Sequence, residues 1–375
     1  MLIRHSLAGR STSDSVILGL RLSDGRTAWG ECLPRNYVTG EDSGATAARL
    51  QRAAPAWIGN ALPTGREAFD AGPWSQFLAE LDDVPSARCA LESALLDGWG
   101  KQAEKPLIEL LGPAKREELN YTGVIPADAA AVVAMVAHKT AANEMSQIKL
   151  KVGMSLEKDL ENLALCRQAY DGPVDIRVDA NCAWSVDEAS QAIEALHEEG
   201  ISSFEEPLQA GDIDGYVELQ RRIPTDCHII ADESLCSLQD GQRLIEAGAV
   251  DGLNLKVSKL GGVLPTLKVV ELARRAGVSC QLGAHIGESS LMSAAGLIVG
   301  ALTGDLVAHE GAYGLRLLEY DLTPDPIAFG RCGALNVDVV SGGPGWAVTI
   351  DEEALAQATT TSVKIGQTDP ACQTS

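Results

Sequence analysis

The sequence predicts an α/β protein: a parallel barrel of the TIM type, preceded by a smaller α+β region. Three observations carry that expectation. From residue 119 onward, short apolar runs alternate with helical patterns, and alternating β and α segments imply a parallel sheet. Eight such runs are found, the number that closes a barrel of this type. Several of them carry a charged residue at every second position, which a barrel strand tolerates only on its inner face.

The elements follow in order. Residues 15–22 read as a strand, Ser23-Asp24-Gly25-Arg26 as a turn and residues 27–31 as the returning strand. An Asp-Gly between apolar runs favours a hairpin. Helical patterns cover 46–53 and 87–111, and this mixed region ends near Gly112-Pro113. The eight strand candidates are 119–124, 147–153, 175–181, 204–208, 228–234, 252–258, 279–285 and 306–310, with helices such as 185–199 and 264–276 between them. The polar run 366–375 reads as a loose tail.

Hydrophobic residues make up 45% of the 375, enough for a large core, which excludes disorder over most of the chain. Lys and Arg total 30 against 52 Asp and Glu, a net charge of -22. That balance argues against nucleic acid or an anionic membrane as partner. No run of about 18 apolar residues could span a bilayer, and Met1-Leu2-Ile3-Arg4-His5-Ser6 lacks the apolar core of a signal peptide. Nine cysteines without a Cys-x-x-Cys pair read as reduced thiols, so a cytoplasmic protein is expected.

Strand parity then selects residues. In Ile148-Lys149-Leu150-Lys151-Val152 the apolar side chains face the helices and both lysines face inward. The inward set of the third strand is Arg177, Asp179 and Asn181. On the fourth strand Phe204 packs outward and Glu205 points in, Asp232 falls near the end of the fifth, and Asn254 and Lys256 are the inward pair of the sixth. Consecutive strands thus aim Lys151, Asp179, Glu205, Asp232 and Lys256 at the C-terminal mouth, where barrel active sites sit. Converging carboxylates repel unless a cation neutralises them, and oxygen-only ligands suit Mg²⁺ or Mn²⁺.

Lys151 and Lys256 stand on opposite walls of such a barrel. A lysine becomes a base when positive neighbours lower its pKa, and Lys149 beside Lys151 supplies one. Opposed bases around a metal suit abstraction of a proton α to a carboxylate, with the metal stabilising the enediolate. A Schiff-base aldolase using Lys256 is a remote rival. An acidic metal-binding scaffold would leave the opposed lysines unexplained. There is no P-loop, no G-x-G-x-x-G after a strand and no G-x-S-x-G.

The ordered set resembles the enolase superfamily, in its muconate-lactonizing-enzyme subgroup. The motifs are Lys149-Leu150-Lys151, Asp179-Ala180-Asn181, Glu205-Glu206-Pro207, Asp232-Glu233-Ser234 and Lys256-Val257-Ser258-Lys259-Leu260-Gly261-Gly262. Residues 94–101, with Pro106-Leu107 and Leu110-Leu111-Gly112, resemble the helix linking cap to barrel, and Trp29-Gly30-Glu31 resembles the cap's second strand. The resemblance covers nearly the whole chain. It implies a (β/α)7β barrel with an N-terminal α+β capping domain completed by the C-terminal segment: cap 1–115, barrel 116–330, returning segment 331–375. It implies Asp179, Glu205 and Asp232 as Mg²⁺ ligands, with Mn²⁺ as a substitute, and Lys151 and Lys256 as the acid/base pair. Lys149 would tune Lys151 or contact the substrate carboxylate. A lysine base with Mg²⁺ is an established pattern of enolase-type sites. Glu288, in Gly287-Glu288-Ser289-Ser290, matches a glutamate that lines the site after the seventh strand.

Departures shape the specificity expected. Dipeptide epimerases of the family carry Asp-x-Asp after the eighth strand to hold the substrate's ammonium. Here Ala308-His309-Glu310-Gly311 takes that place, which argues against a dipeptide and leaves Glu310 as a candidate contact. His285 stands where many relatives carry a small or sulfur residue, and is either a substrate contact or a satisfied loop histidine. In the cap loop, Arg35 and Tyr37 are candidates to meet a distal substrate group. Racemisation or epimerisation needs a lysine on each face of the α-carbon, and both are present. The expected activity is a racemase or epimerase of an amino-acid-like acid. The alternative is a cycloisomerase or syn-dehydratase, muconate cycloisomerase-like or o-succinylbenzoate synthase-like. A homo-oligomer acting on a small-molecule carboxylate is expected.

Overall fold

Two antiparallel hairpins begin the chain. The structure, a computed structural model, describes residues 3–5, 8–10 and 12–366, so the tail expected at 366–375 lies outside it beyond its first residue. β1 (Ile3–His5) pairs with β2 (Ala8–Arg10). β3 (Val16–Arg21) pairs with β4 (Thr27–Cys32), Arg21 opposite Thr27. The turn expected between them is present, with Gly25 at φ 89°, a conformation glycine adopts without strain.

Six helices complete the cap: α1 (Asn36–Thr39), α2 (Ser43–Trp57), α3 (Glu67–Asp70), α4 (Pro73–Ala79), α5 (Pro85–Ala103) and α6 (Leu107–Leu111). Proline at the first position of α5 costs no hydrogen bond there. The helix is buried on every side from Cys89 to Gly100, since it runs between β4 and the barrel. The two backbones meet at Gly30, where a β-carbon would lie 2.1 Å from the Ala90 carbonyl oxygen.

Seven strands form one parallel sheet in chain order. After β5 (Glu118–Asn120), they are β6 (Gly123–Ile125), β7 (Gln147–Lys151), β8 (Asp175–Asp179), β9 (Ser203–Glu205), β10 (His228–Ala231), β11 (Gly252–Leu255) and β12 (Ser279–Leu282). A helix follows each barrel strand: α7 (Ala130–Ala142), α8 (Leu156–Gln168), α9 (Val186–Glu198), α10 (Ile213–Gln220), α11 (Leu238–Glu246), α12 (Val263–Ala276) and α13 (Ser290–Thr303). Ser155, Ser185, Ser237 and Ser289 start four of them by accepting a backbone N–H at the N-cap.

The eighth strand, 306–310, closes the barrel by a few bonds. Val307 N–H donates to the Cys280 carbonyl at 2.9 Å and Glu310 N–H to Leu282 at 2.7 Å, while Thr122 N–H reaches the His309 carbonyl at 2.7 Å from the other side. Residues 311–330 are irregular apart from one 3-10 turn, Gly314–Arg316. The architecture is therefore (β/α)7β with a capping domain.

The first strand candidate needs correction. Residues 119–124 are not one strand: β5 pairs antiparallel with β13 (Ala334–Asn336), and only β6 enters the barrel. Tyr121 N–H turns to the Gly333 carbonyl at 2.8 Å while Thr122 N–H turns to His309, so the chain changes partner between the two.

The C-terminal segment ends on α14 (Glu352–Ala358) after passing the cap. Trp346 is buried there. Its indole N–H donates to the carbonyls of Trp29 and Ser93, both at 3.2 Å, and its backbone N–H to Asp97 at 3.2 Å. Among the described residues, no helix is long and apolar enough to cross a membrane, and the eight cysteines are all free thiols.

Candidate active site

The alternation expected on β7 is what the barrel shows. Ile148 and Leu150 are fully buried against the helices, and Lys149 and Lys151 project inward. The ladder sets Lys151 beside Asp179 and Asp179 beside Glu205, so three strands present one row at one height. Asp232 lies two residues above Ile230, which pairs with Glu205. Lys256 follows the end of β11, four strands from β7 and on the opposite wall.

Charge pairs bind the row together. The Lys151 ammonium donates to Asp179 at 3.0 Å and to the Asn181 side-chain oxygen at 2.5 Å. Lys256 donates to Asp232 at 2.5 Å, and Lys259 to the other Asp232 oxygen at 2.6 Å. One layer below, Lys149 is 3.2 Å from Asp179, 3.1 Å from Glu205 and 2.8 Å from Glu310. Arg177 pairs with the other Glu310 oxygen. Asn254 and Gln281 donate to the two Glu205 oxygens at 2.9 and 2.6 Å.

The ionisation pattern follows from these pairs. Burial alone would raise Asp179, but Lys151 and Lys149 outweigh it and hold the carboxyl below its usual range. Burial is likewise outweighed at Asp232, by Lys256 and Lys259, and at Glu310, by Lys149 and Arg177. Glu205 goes the other way. Burial, with repulsion from Asp179, Glu310 and Asp232, outweighs Lys149 and pushes it up to about 7. Burial would lower Lys149, yet Glu205, Glu310 and Asp179 hold its ammonium well above the ordinary range.

Do these residues fit a divalent metal? Three buried carboxylates on adjacent strands form an oxygen-only donor set, which suits a hard cation. The repulsion that raises Glu205 is what a cation among the three would relieve. Among the described residues, the trios whose donor atoms lie within 4.8 Å of one another are His197–Asp226–Cys227 and Cys182–Glu206–Glu233. Here Lys149 stands between Asp179 and Glu205, and Lys256 and Lys259 hold Asp232. The donor set fits.

The chain is shaped around the row. Asn181, Cys182 and Glu206 take left-handed backbone, φ 45°, 62° and 40°, a strained state that persists where surroundings fix it. The buried Glu206 carboxylate does that fixing, accepting from Ser234 N–H at 3.1 Å, Tyr216 hydroxyl at 3.1 Å, and Asp232 N–H.

The remaining candidates lie to one side. Glu288 lines two adjoining narrow clefts, the first shared with Glu310 and the second with His285. Burial pushes Glu288 up to about 8. Arg35 is buried, and its guanidinium donates to the Ile286 carbonyl at 2.8 Å and the Asp14 carbonyl at 2.9 Å, joining the cap loop to the loop after β12. Tyr37 lies half-buried in α1, on the cap side. The structure thus brings Lys149, Lys151, Asp179, Glu205, Asp232, Lys256 and Glu310 into one cluster, with His285, Glu288 and Arg35 grouped beside it.

Sequence reasoning missed Lys259, Glu206 and Gln281 as members of the site, and Glu233, which accepts from the Asn181 side-chain amide at 3.1 Å. Parity on the seventh strand would have found Gln281, which pairs with the inward Asn254. Lys259 lies on a turn, where parity gives no signal.

Comparison with known proteins places the chain in a family. The family model described as "Enolase C-terminal domain-like" matches residues 131–354. A hydrophobic dipeptide epimerase of Roseobacter litoralis is 33% identical over 84% of this chain and 85% of its own. An N-succinyl-L-Arg/Lys racemase of Bacillus cereus is 27% identical over 94% and 92%, and muconate cycloisomerase 1 of Pseudomonas putida 29% over 94% and 93%. Among solved structures, the N-succinyl Arg/Lys racemase of Bacillus cereus has a TM-score of 0.84 at 26% identity, covering 96% of this chain and 94% of that one. The dipeptide epimerase of Cytophaga hutchinsonii, complexed with Mg and D-Ala-L-Val, has a TM-score of 0.85 at 26% identity, covering 95% and 94%.

Proposed function

Because the chain belongs to the enolase superfamily, in the subgroup of muconate cycloisomerase and the dipeptide epimerases, we propose that it is an isomerase that removes the proton α to a carboxylate and returns it to the opposite face. Its substrate is an amino-acid-like acid. The observation that carries the reading is the pair of opposed lysines, Lys151 and Lys256, with Asp179, Glu205 and Asp232 on the strands between them. Relatives named racemases and epimerases support it.

Asp179, Glu205 and Asp232 would hold Mg²⁺, with Mn²⁺ as a substitute. When bound, the metal supplies concentrated positive charge beside the substrate carboxylate, which lowers the cost of the charge that develops there. The rest belongs to side chains. One lysine, as the neutral amine, accepts the proton from one face of the α-carbon; the other, as the ammonium, delivers a proton to the other face. Lys149 stays charged below them, locked among Glu205, Glu310 and Asp179, and serves as a fixed cation. Asn181 and Lys259 orient Lys151 and Asp232. Family membership replaces the Schiff-base reading of Lys256 with an acid–base one.

The proposal keeps the division into cap 1–115, barrel 116–330 and returning segment 331–375. It also keeps a homo-oligomer in the cytoplasm, where free thiols persist. The test is α-proton exchange of candidate carboxylates in D₂O, followed by NMR with and without chelator. Exchange at a retained stereocentre, lost with chelator and restored by Mg²⁺, is expected. Metal-dependent ring closure or loss of water without two-faced exchange would instead establish the cycloisomerase or dehydratase alternative.

A further inference from the structure

Glu233 is the carboxylate at the barrel mouth that the chemistry leaves without a role. It follows Asp232 at the end of β10 and is 5% exposed. One oxygen accepts from the Asn181 side-chain amide at 3.1 Å; the other, Oε2, is buried and has no hydrogen-bond partner among the described residues. Glu206, with an oxygen within 4.8 Å of Glu233, shows how a purely structural carboxylate is held here. Its Oε1 accepts from the Tyr216 hydroxyl and the Ser234 N–H, both at 3.1 Å, and from the Ser234 hydroxyl, and its Oε2 accepts from the Asp232 N–H. Buried polar atoms are nearly always satisfied, so the open oxygen of Glu233 calls for a cause.

Two connections tie Glu233 to the acid–base pair. The first runs to Lys151, whose ammonium donates to the Asn181 side-chain oxygen at 2.5 Å. An ammonium only donates and a carboxylate only accepts, so Lys151 and Glu233 fix the Asn181 amide in one orientation, oxygen to the lysine and NH₂ to the carboxylate. The Asn181 backbone is held as well, its N–H donating to Asp179 at 3.0 Å. The second connection runs to Lys256. Asp232, Glu206 and Asp179 repel a charge on Glu233, and Lys256 is the cation that offsets them. Lys256 donates to Asp232 at 2.5 Å, but Asp232 also accepts from Lys259 at 2.6 Å and belongs to the metal-binding set. A base that swings over an α-carbon and back cannot keep that partner throughout. Glu233 Oε2 is an acceptor beside it with no competing donor.

We propose that Glu233 is a positioning residue shared by both acid–base lysines. Through Asn181 it holds the Lys151 ammonium on its side of the site, and with its open oxygen it takes up the Lys256 ammonium when that group leaves Asp232. This rests on the α-proton exchange reading above.

The two halves of the role separate by substitution. Glu233→Gln keeps a carbonyl oxygen for Asn181 but turns an NH₂ toward Lys256, donor against donor. Glu233→Leu removes both functions. The test follows α-proton exchange in D₂O with Mg²⁺, for both enantiomers of dipeptides and N-succinyl amino acids, the compounds for which the relatives are named. Lys151→Ala and Lys256→Ala assign which enantiomer each lysine serves. Glu233→Gln should lower kcat about tenfold for the Lys256 enantiomer, the order of one buried hydrogen bond to a charged group, with KM and the other enantiomer nearly unchanged. Glu233→Leu should slow both. In the metal-free protein, the ¹⁵Nζ signal of Lys151 should move in Glu233→Leu and stay in place in Glu233→Gln. Equal slowing of both enantiomers by Glu233→Gln, the mark of a merely structural residue, overturns the inference and leaves the exchange reading intact, as does wild-type exchange in both variants. Absence of exchange by the wild-type protein with every compound overturns both.

Discussion

Two groups of buried carboxylates serve opposite ends in this protein. At the barrel mouth, Asp179, Asp232 and Glu310 face the ammonium or guanidinium groups of Lys149, Lys151, Lys256, Lys259 and Arg177. At the seam between cap and barrel, Glu31 and Glu92 face neutral donors. Glu92, on α5, accepts the backbone N–H groups of Val263 and Leu264 at 2.7 and 2.9 Å, at the start of α12. Glu31, on β4, accepts from the Ser289 hydroxyl at 2.5 Å and the Met292 N–H at 3.1 Å, at the start of α13. A helix N-terminus offers donors fixed in the backbone and a favourable dipole. Residue type and burial are alike in both groups, so the partner decides the use. Donors built into the backbone cannot leave, and the carboxylate becomes a joint. Ammonium groups on long side chains can move, and the carboxylate stays available for exchange with a metal or a proton.

The largest effects should come from the mouth. Lys151→Ala and Lys256→Ala should each cut α-proton exchange by about 10²–10⁴-fold, each for one enantiomer, as loss of a general acid–base does. A variant that exchanges both enantiomers at the wild-type rate removes that lysine from the chemistry. Asp232→Asn should weaken Mg²⁺ binding by roughly tenfold or more, read by calorimetry on protein shown to be folded by circular dichroism. Unchanged affinity would take Asp232 out of the metal set and blur the contrast between the groups.

At the seam the expected losses are in stability. Glu92→Ala leaves two buried N–H groups unpaired and should cost about 1–3 kcal/mol, seen as a lower urea midpoint at constant slope, with kcat nearly unchanged. A collapse of kcat at normal stability would mean that the seam shares in the chemistry. The smallest effect is pH dependence. Burial pushes Glu31 and Glu92 from 4.5 up to about 7 in the folded protein. The folded state therefore binds protons more tightly than the unfolded one, and these groups make stability fall as pH rises through that interval and level off above it. Urea midpoints across the range should show the decline, and Glu92→Gln should flatten it.

The mouth was readable in the sequence because strand parity is local. Ile148 and Leu150 pointing out require Lys149 and Lys151 to point in, and the same rule caught Asp179 and Glu205. Asp232 and Lys256 lie just past the named strands yet keep the phase of the residues before them. Parity stops at the next turn, which is why Lys259 escaped. The seam was opaque for a different reason. Glu92 sits in a helix buried all round, and its partners are about 170 residues away in the chain, so no local pattern announces the pair. Residues 119–124 look like one strand because apolar content carries no information about which neighbour each residue will choose.

The Trp346 anchorage has a consequence for the order of assembly. Its side chain sits between β4 and α5, bonded to Trp29 and Ser93, so the oldest part of the nascent chain is finished by one of the newest. Until residue 346 leaves the ribosome, the cap lacks a piece of its own interior and shows apolar surface to water, the condition under which partly made proteins aggregate. Every barrel strand is synthesised while the cap is still incomplete. Chains truncated before Trp346 should therefore bind more of an apolar dye than the full chain, read as dye fluorescence.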